Sequence, residues 1–122
     1  PYWMSPEHIQ GARCGRKADV WSYGCVLLEM LTGAMPWLGP TGCQPTVGQF
    51  GMFKLLNHIV EAKHPPPMPP PEKVPEGLHD LLLASFERDL ERRPTTAELL
   101  EYKWVLQGNI AKATCEGELR WA

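Results

Sequence analysis

Apolar residues crowd the stretch from Arg16 to Leu31, RKADVWSYGCVLLEML, without keeping to one face. Val20, Trp21, Cys25, Leu27, Leu28, Met30 and Leu31 point in more than one direction on a helical wheel, and no charge falls between Val20 and Leu28. A helix that is apolar nearly all round is a central one, covered on several sides. Asp19 stands near its start, where an acidic side chain can accept orphan backbone N–H groups and suits the dipole. Gly33 stands where such a helix stops.

The rest of the chain divides by the same criterion. Residues 36–51, PWLGPTGCQPTVGQFG, read as a loop rich in glycine and proline. A second helix is expected over 52–62, with Phe53, Leu56, Ile59 and Val60 at amphipathic spacing. HPPPMPPPEKVP follows, and proline's fixed φ and missing N–H exclude helix and central strand there. A third helix is expected over 76–86, striped by Leu78, Leu81, Leu82 and Phe86. A fourth follows RRPTT, with Thr95 or Thr96 capping, Glu98 in the first turn, and Leu99, Leu100 and Trp104 along it. Strand signals are weak, no internal repeat is visible, and residues 105–122 show no pattern. The expectation is an all-α assembly of four to five helices with long Pro/Gly-rich loops.

Composition narrows the function classes. The chain has 122 residues, 43% hydrophobic and 21% charged, as in a globular domain. Twelve basic and 14 acidic residues are scattered, with a net charge of −2. Nucleic-acid binding needs concentrated positive charge, so no nucleic-acid partner is expected. No uncharged apolar run approaches the ~20 residues of a membrane helix, so no membrane partner is expected either. Cys14, Cys25, Cys43 and Cys115 lack metal-ligand spacing and are expected as free thiols in the cytoplasm. His8, His58, His64 and His79 are dispersed, and no metal site is expected.

Three segments then converge. PYWMSPE (Pro1–Glu7), GRKADVWSYGCVLLEMLTGAMPW (Gly15–Trp37) and RRPTTAELL (Arg92–Leu100) occur in that order. Together they resemble the C-terminal lobe of a eukaryotic-type protein kinase, from late in the activation segment onward. The lead into Trp3 resembles serine/threonine-specific members. With GRKADVWSYGC and MFKLLNHIVEA, the likeness is to the MAP kinase kinase kinase (STE-group) branch. It spans residues 1–104, leaving 105–122 as a tail. Departures from the family pattern are Ser5 for alanine, Leu90 for a common proline, EYKW for a His-Pro-aromatic ending, and a long 38–48 loop.

The resemblance implies roles residue by residue. Glu7 closes the family's APE-type motif and Arg93 is the late arginine that pairs with it, a buried anchor for the activation segment. Asp19 matches the aspartate that holds the family's catalytic loop through backbone N–H groups. Tyr2, Trp3 and Met4 match the wall of the substrate pocket beside the phosphoacceptor. Lys63, Pro66 and Pro69 separately fit a basic residue plus PxxP spacing, a candidate docking segment for proline-binding grooves. The competing reading of that stretch is a stiff connector.

Phosphoryl transfer needs held phosphates, metal ions and an oriented nucleophile. The family's Gly-rich loop, HRD-type loop and DFG motif are not found in the sequence, so no catalytic residue is assigned. The expectation is a piece of a Ser/Thr kinase that alone binds no nucleotide and is inactive. ATP and Mg would belong to the parent, with a protein substrate, such as a downstream kinase, and the missing N-terminal part as partners. The alternatives are a piece of a pseudokinase or scaffold, and a helical interaction module. The central helix is expected to leave one face wet.

Overall fold

The computed structural model describes residues 1–13, 15–37 and 51–114. The described residues form six α-helices and no strand: α1 (Pro6–Ile9), α2 (Arg16–Thr32), α3 (Gly51–Glu61), α4 (Leu78–Ser85), α5 (Thr96–Leu99) and α6 (Lys103–Thr114), with a 3-10 turn at Pro71–Lys73. The expected 36–51 loop lies outside the described residues from 38 to 50, as do Cys14, Cys43 and Cys115.

The uncharged core of α2 drives its burial. Val20, Trp21 and Cys25 are 0% exposed, and Leu28 is almost so. Gly33 ends the helix in a left-handed conformation at φ 73°, which glycine adopts without a Cβ clash. Asp19 does not cap the helix: Gly15 is the N-cap, and Asp19 lies exposed within the first turn. The reason is register, since the helix begins three residues earlier, at Arg16.

α4 packs against α2 through Leu78, Leu81, Leu82 and Phe86, the four residues of the expected stripe, all buried. The contact is close because Gly24 faces it. A Cβ there would stand 2.7 Å from the Ser85 Cβ and 3.1 Å from the Phe86 ring. The Trp21 and Phe86 rings meet edge to face at 5.2 Å, a favoured aromatic arrangement.

α3 buries Leu55 and Ile59 but leaves Phe53 at 81% exposure, so its buried stripe is rotated from the expected Phe53–Leu56 line. The fourth expected helix is two. Thr95 caps α5, its hydroxyl accepting from the Glu98 N–H while Glu98 reaches back, a complete capping box. The chain then turns, with the Tyr102 N–H bonded to the Leu99 carbonyl, and Trp104 starts anew on α6. Leu100 is 60% exposed at that turn. α6 continues into the stretch where no pattern was visible. Gly77 lets it approach α4, with φ 82° and a virtual Cβ 3.0 Å from the Trp104 nitrogen.

One face of α2 is open. Tyr23, Val26 and Met30, at i, i+3 and i+7, are exposed.

Candidate functional site

The segment Tyr2–Glu7 lies across α2 and is held at both ends. Pro1 and Met4 close a turn through the Met4 N–H and the Pro1 carbonyl at 3.1 Å. The Ser5 side chain then accepts from the His8 N–H and starts α1, with Pro6 at its first position, where proline's missing N–H is no loss. This short helix presents Glu7 toward the body of the molecule.

Arg93 meets Glu7 there with its whole guanidinium. Nη1 donates to Glu7 Oε1 at 2.6 Å and to the Lys17 carbonyl at 2.8 Å. Nη2 donates to Glu7 Oε2 at 3.2 Å, and Nε donates to the Glu87 carbonyl at 2.7 Å. The Arg93 side chain is 0% exposed and that of Glu7 12%. The guanidinium also lies over the Trp21 ring, 5.2 Å from its centroid, so cation–π attraction adds to the bidentate bond. Burial pushes the Glu7 carboxyl up, but its bond and charge interaction with Arg93 and its backbone bond outweigh that and hold it below its ordinary value. The neighbouring Arg92 is exposed and plays no part in this pair.

At the other end, the Trp3 indole N–H donates to Glu29 Oε2 at 2.9 Å, and the Ser22 hydroxyl donates to the Trp3 carbonyl at 2.8 Å. The Cys25 thiol approaches the Tyr2 carbonyl at 3.9 Å. Burial, with Glu29 adding its negative charge, pushes that thiol up to about 12, so it stays protonated and unreactive. Tyr2 and Trp3 stand edge to face at 6.0 Å. Tyr2, Trp3 and Met4 are all half-buried, with part of each side chain open to solvent.

The structure thus gathers Tyr2, Trp3, Met4, Glu7 and Arg93 on one side of α2 and leaves Asp19 exposed. Lys63 is exposed too, but Pro66 is fully buried and Pro69 half-buried. The proline run therefore packs as a connector along the body, and Pro66 offers no free face to a docking groove. Arg88 ties this connector down, donating to the carbonyls of Ile59 at 2.7 Å and His64 at 3.1 Å.

Sequence reasoning missed three contributors. Ser22 and Glu29 look like solvated positions on a core helix, and Trp21 like core filling alone. Their polar or aromatic side chains on the otherwise apolar α2 were the available signal. His58 and His64, dispersed in sequence, stand with ring centroids 5.9 Å apart. Among the described residues, however, no three His, Cys, Asp or Glu side chains gather as a metal-holding group. No described helix is long and apolar enough to cross a membrane.

A helical body with a short segment fastened across its central helix by a carboxylate–guanidinium pair defines a class. The protein kinase domain family matches residues 1–105, and the chain belongs to that family. Among curated relatives, MAP kinase kinase kinase wis4 of Schizosaccharomyces pombe is 36% identical over 107 residues, covering 86% of this chain and 7% of its own length. Mitogen-activated protein kinase kinase kinase 2 of Arabidopsis thaliana is 34% identical over 105 residues, covering 86% and 14%. Mitogen-activated protein kinase kinase 1 of the same plant is 36% identical over 105 residues, covering 86% and 28%. The chain therefore spans well under two thirds of the length of each of these relatives.

Proposed function

We propose that this chain forms the substrate-facing helical part of a protein serine/threonine kinase working in a MAP kinase cascade in the cytoplasm. The observation that carries the reading is the Tyr2–Met4 segment, half-open to solvent and fastened at both ends to α2 and Arg93. A pocket wall that selects a substrate's neighbouring residue by shape must be stiff, and this one is held by backbone and side-chain bonds alike. The likeness to two MAP kinase kinase kinases and a MAP kinase kinase supports a protein substrate that is itself a kinase. ATP with magnesium supplies the phosphoryl group in such enzymes. The reading assigns their binding to residues outside these 122. The open Tyr23–Val26–Met30 face of α2 supports docking against that further part.

In this reading Glu7 and Arg93 anchor the segment, Tyr2, Trp3 and Met4 shape the pocket, and α2 is the base. The test is phosphate transfer from Mg-ATP to a catalytically dead MAP kinase kinase by the complete protein that carries this chain. Phosphoserine or phosphothreonine is expected in the product; no transfer, or phosphotyrosine alone, would overturn the reading. The 122-residue chain titrated alone with Mg-ATP is expected to give no saturable thermal shift.

A further inference from the structure

We infer that the cavity between the proline connector and the end of α4 is a docking site for an acidic peptide segment, taking one carboxylate side chain together with the apolar residue next to it. The inference stands apart from the functional reading above and uses none of the residues assigned there.

A guanidinium taken out of water needs an opposite charge, or its desolvation is left uncompensated. Arg88 is in that position. It is half-buried, and its Nη1 and Nη2 donate to the carbonyls of Ile59 at 2.7 Å and His64 at 3.1 Å. Its guanidinium carbon lies 5.5 Å from the centroid of the Trp21 ring. Carbonyls and a ring face orient the group but bring no net charge. Among the described residues no carboxylate reaches Arg88 within ion-pair distance, and its Nε is buried without a hydrogen-bond partner. Residues 38–50 contain no aspartate or glutamate. Burial first, then the charge of Arg93, hold the guanidinium below its ordinary value against the opposing pull of Glu7. Arg93 has its carboxylate; Arg88 lacks one.

Beside Arg88 opens a cavity of about 290 Å³, near the lower end of the range for ligand sites. Lys63 stands on its wall, exposed and paired with no carboxylate among the described residues. Pro65, Leu83 and Phe86 supply an apolar side. Glu87 lines it too, its Oε1 accepting from the Asp89 N–H at 3.3 Å. With His64 neutral, Lys63 and Arg88 against Glu87 leave one net positive charge. A single carboxylate balances that charge, and a phosphate dianion exceeds it. The apolar wall favours a carbon side chain beside the carboxylate. An aspartate or glutamate next to a leucine in an extended segment meets both conditions, whereas a free inorganic anion meets only the first. Charge complementarity of this kind sets specificity for the partner.

The experiment titrates the complete protein that carries this chain, by calorimetry at low salt. The probes are the blocked peptide acetyl-Leu-Glu-Leu-amide, its glutamine counterpart and sodium acetate. Saturable binding of the glutamate peptide is expected, at least about tenfold tighter than that of either other probe. Lys63→Glu should weaken it about fivefold, and Arg88→Gln at least about tenfold. Because Arg88 also holds the connector, the exposed Lys63 decides the matter if Arg88→Gln does not fold. In wild type, saturation should raise the His58 value followed by NMR, since the carboxylate offsets the Arg88 charge that helps hold it down. Absence of binding, equal binding of the glutamine peptide or of acetate, or binding untouched by Lys63→Glu overturns the inference.

Discussion

Two clusters of charge and aromatic rings, one around Arg93 and one around Trp37, are finished to different degrees. Around Arg93, each of the three guanidinium nitrogens donates, to the Glu7 carboxylate or to the carbonyls of Lys17 and Glu87. Around Trp37, the His58 and His64 rings gather within 6.1 Å of the indole, yet His58 Nε2 is buried and meets no hydrogen-bond partner among the described residues. Arg88 belongs to this second cluster, and its Nε is also buried without a partner. Trp37 itself sits at φ 74°, unusual for a bulky residue, and is fully buried. The difference teaches where rigidity is concentrated. The completed cluster lies beside the segment proposed to face substrate, and the incomplete one beside the proline connector that follows α3.

The largest expected effect breaks the finished side. Arg93→Met strands the Glu7 carboxylate and two part-buried carbonyls, and should cost about 3–5 kcal/mol in denaturant unfolding. Arg93→Lys should rescue little, because an ammonium cannot reproduce the planar fork. A loss below about 1 kcal/mol would show that the cluster is decorative.

A middle-sized effect tests the α2–α4 contact between them. Gly24→Ala places a methyl 2.7 Å from the Ser85 Cβ, so α2 and α4 must separate. Overpacking of this kind should cost about 1–3 kcal/mol, read as a lowered melting temperature. An unchanged value would mean the helices slide freely.

The smallest effect concerns pH. Burial first, then the charges of His64 and Arg88, hold His58 below its ordinary value of 6.5, against the opposing pull of Glu61. The native state therefore binds fewer protons there than the unfolded one. Its contribution is complete above pH 6.5 and falls away as pH drops below it. Glu7 acts in the same direction at lower pH, for the reverse reason, since here the charged form is favoured: its depressed value keeps the Arg93 cluster intact above 4.5, with loss only as pH falls further. Melting temperatures followed down from neutral pH should decline less in His58→Phe than in wild type between these limits. Parallel curves would remove the distinction between the clusters.

How much of this was written in the sequence depends on whether the cause was local. α2 was legible from its long uncharged apolar run and from Gly33 as a stop, and α4 from its one-faced stripe of Leu78, Leu81, Leu82 and Phe86. The break between α5 and α6 was not, since no glycine or proline interrupts ELLEYKW and the turn is made by backbone bonds alone. Phe53 misled because an apolar residue at the right spacing need not face the core, and Leu55 lies there instead. The pairing of Glu7 with Arg93 has no local signal at all. It came from family resemblance, whereas the tie between Trp3 and Glu29 had no precursor in either pattern or motif.

The Arg93 contacts also have a consequence for how the molecule comes together. They join residues 86 and 76 positions apart along the chain, so they form only when most of the intervening polypeptide has been looped back. Closing so long a loop has an entropic cost that local helices escape. The α2–α4 pairing needs a shorter excursion and can precede it. Fastening of the Pro1–Glu7 segment therefore depends on the helices between it and Arg93 being in place, which makes this bond a report on the assembly of the whole body rather than of its own neighbourhood.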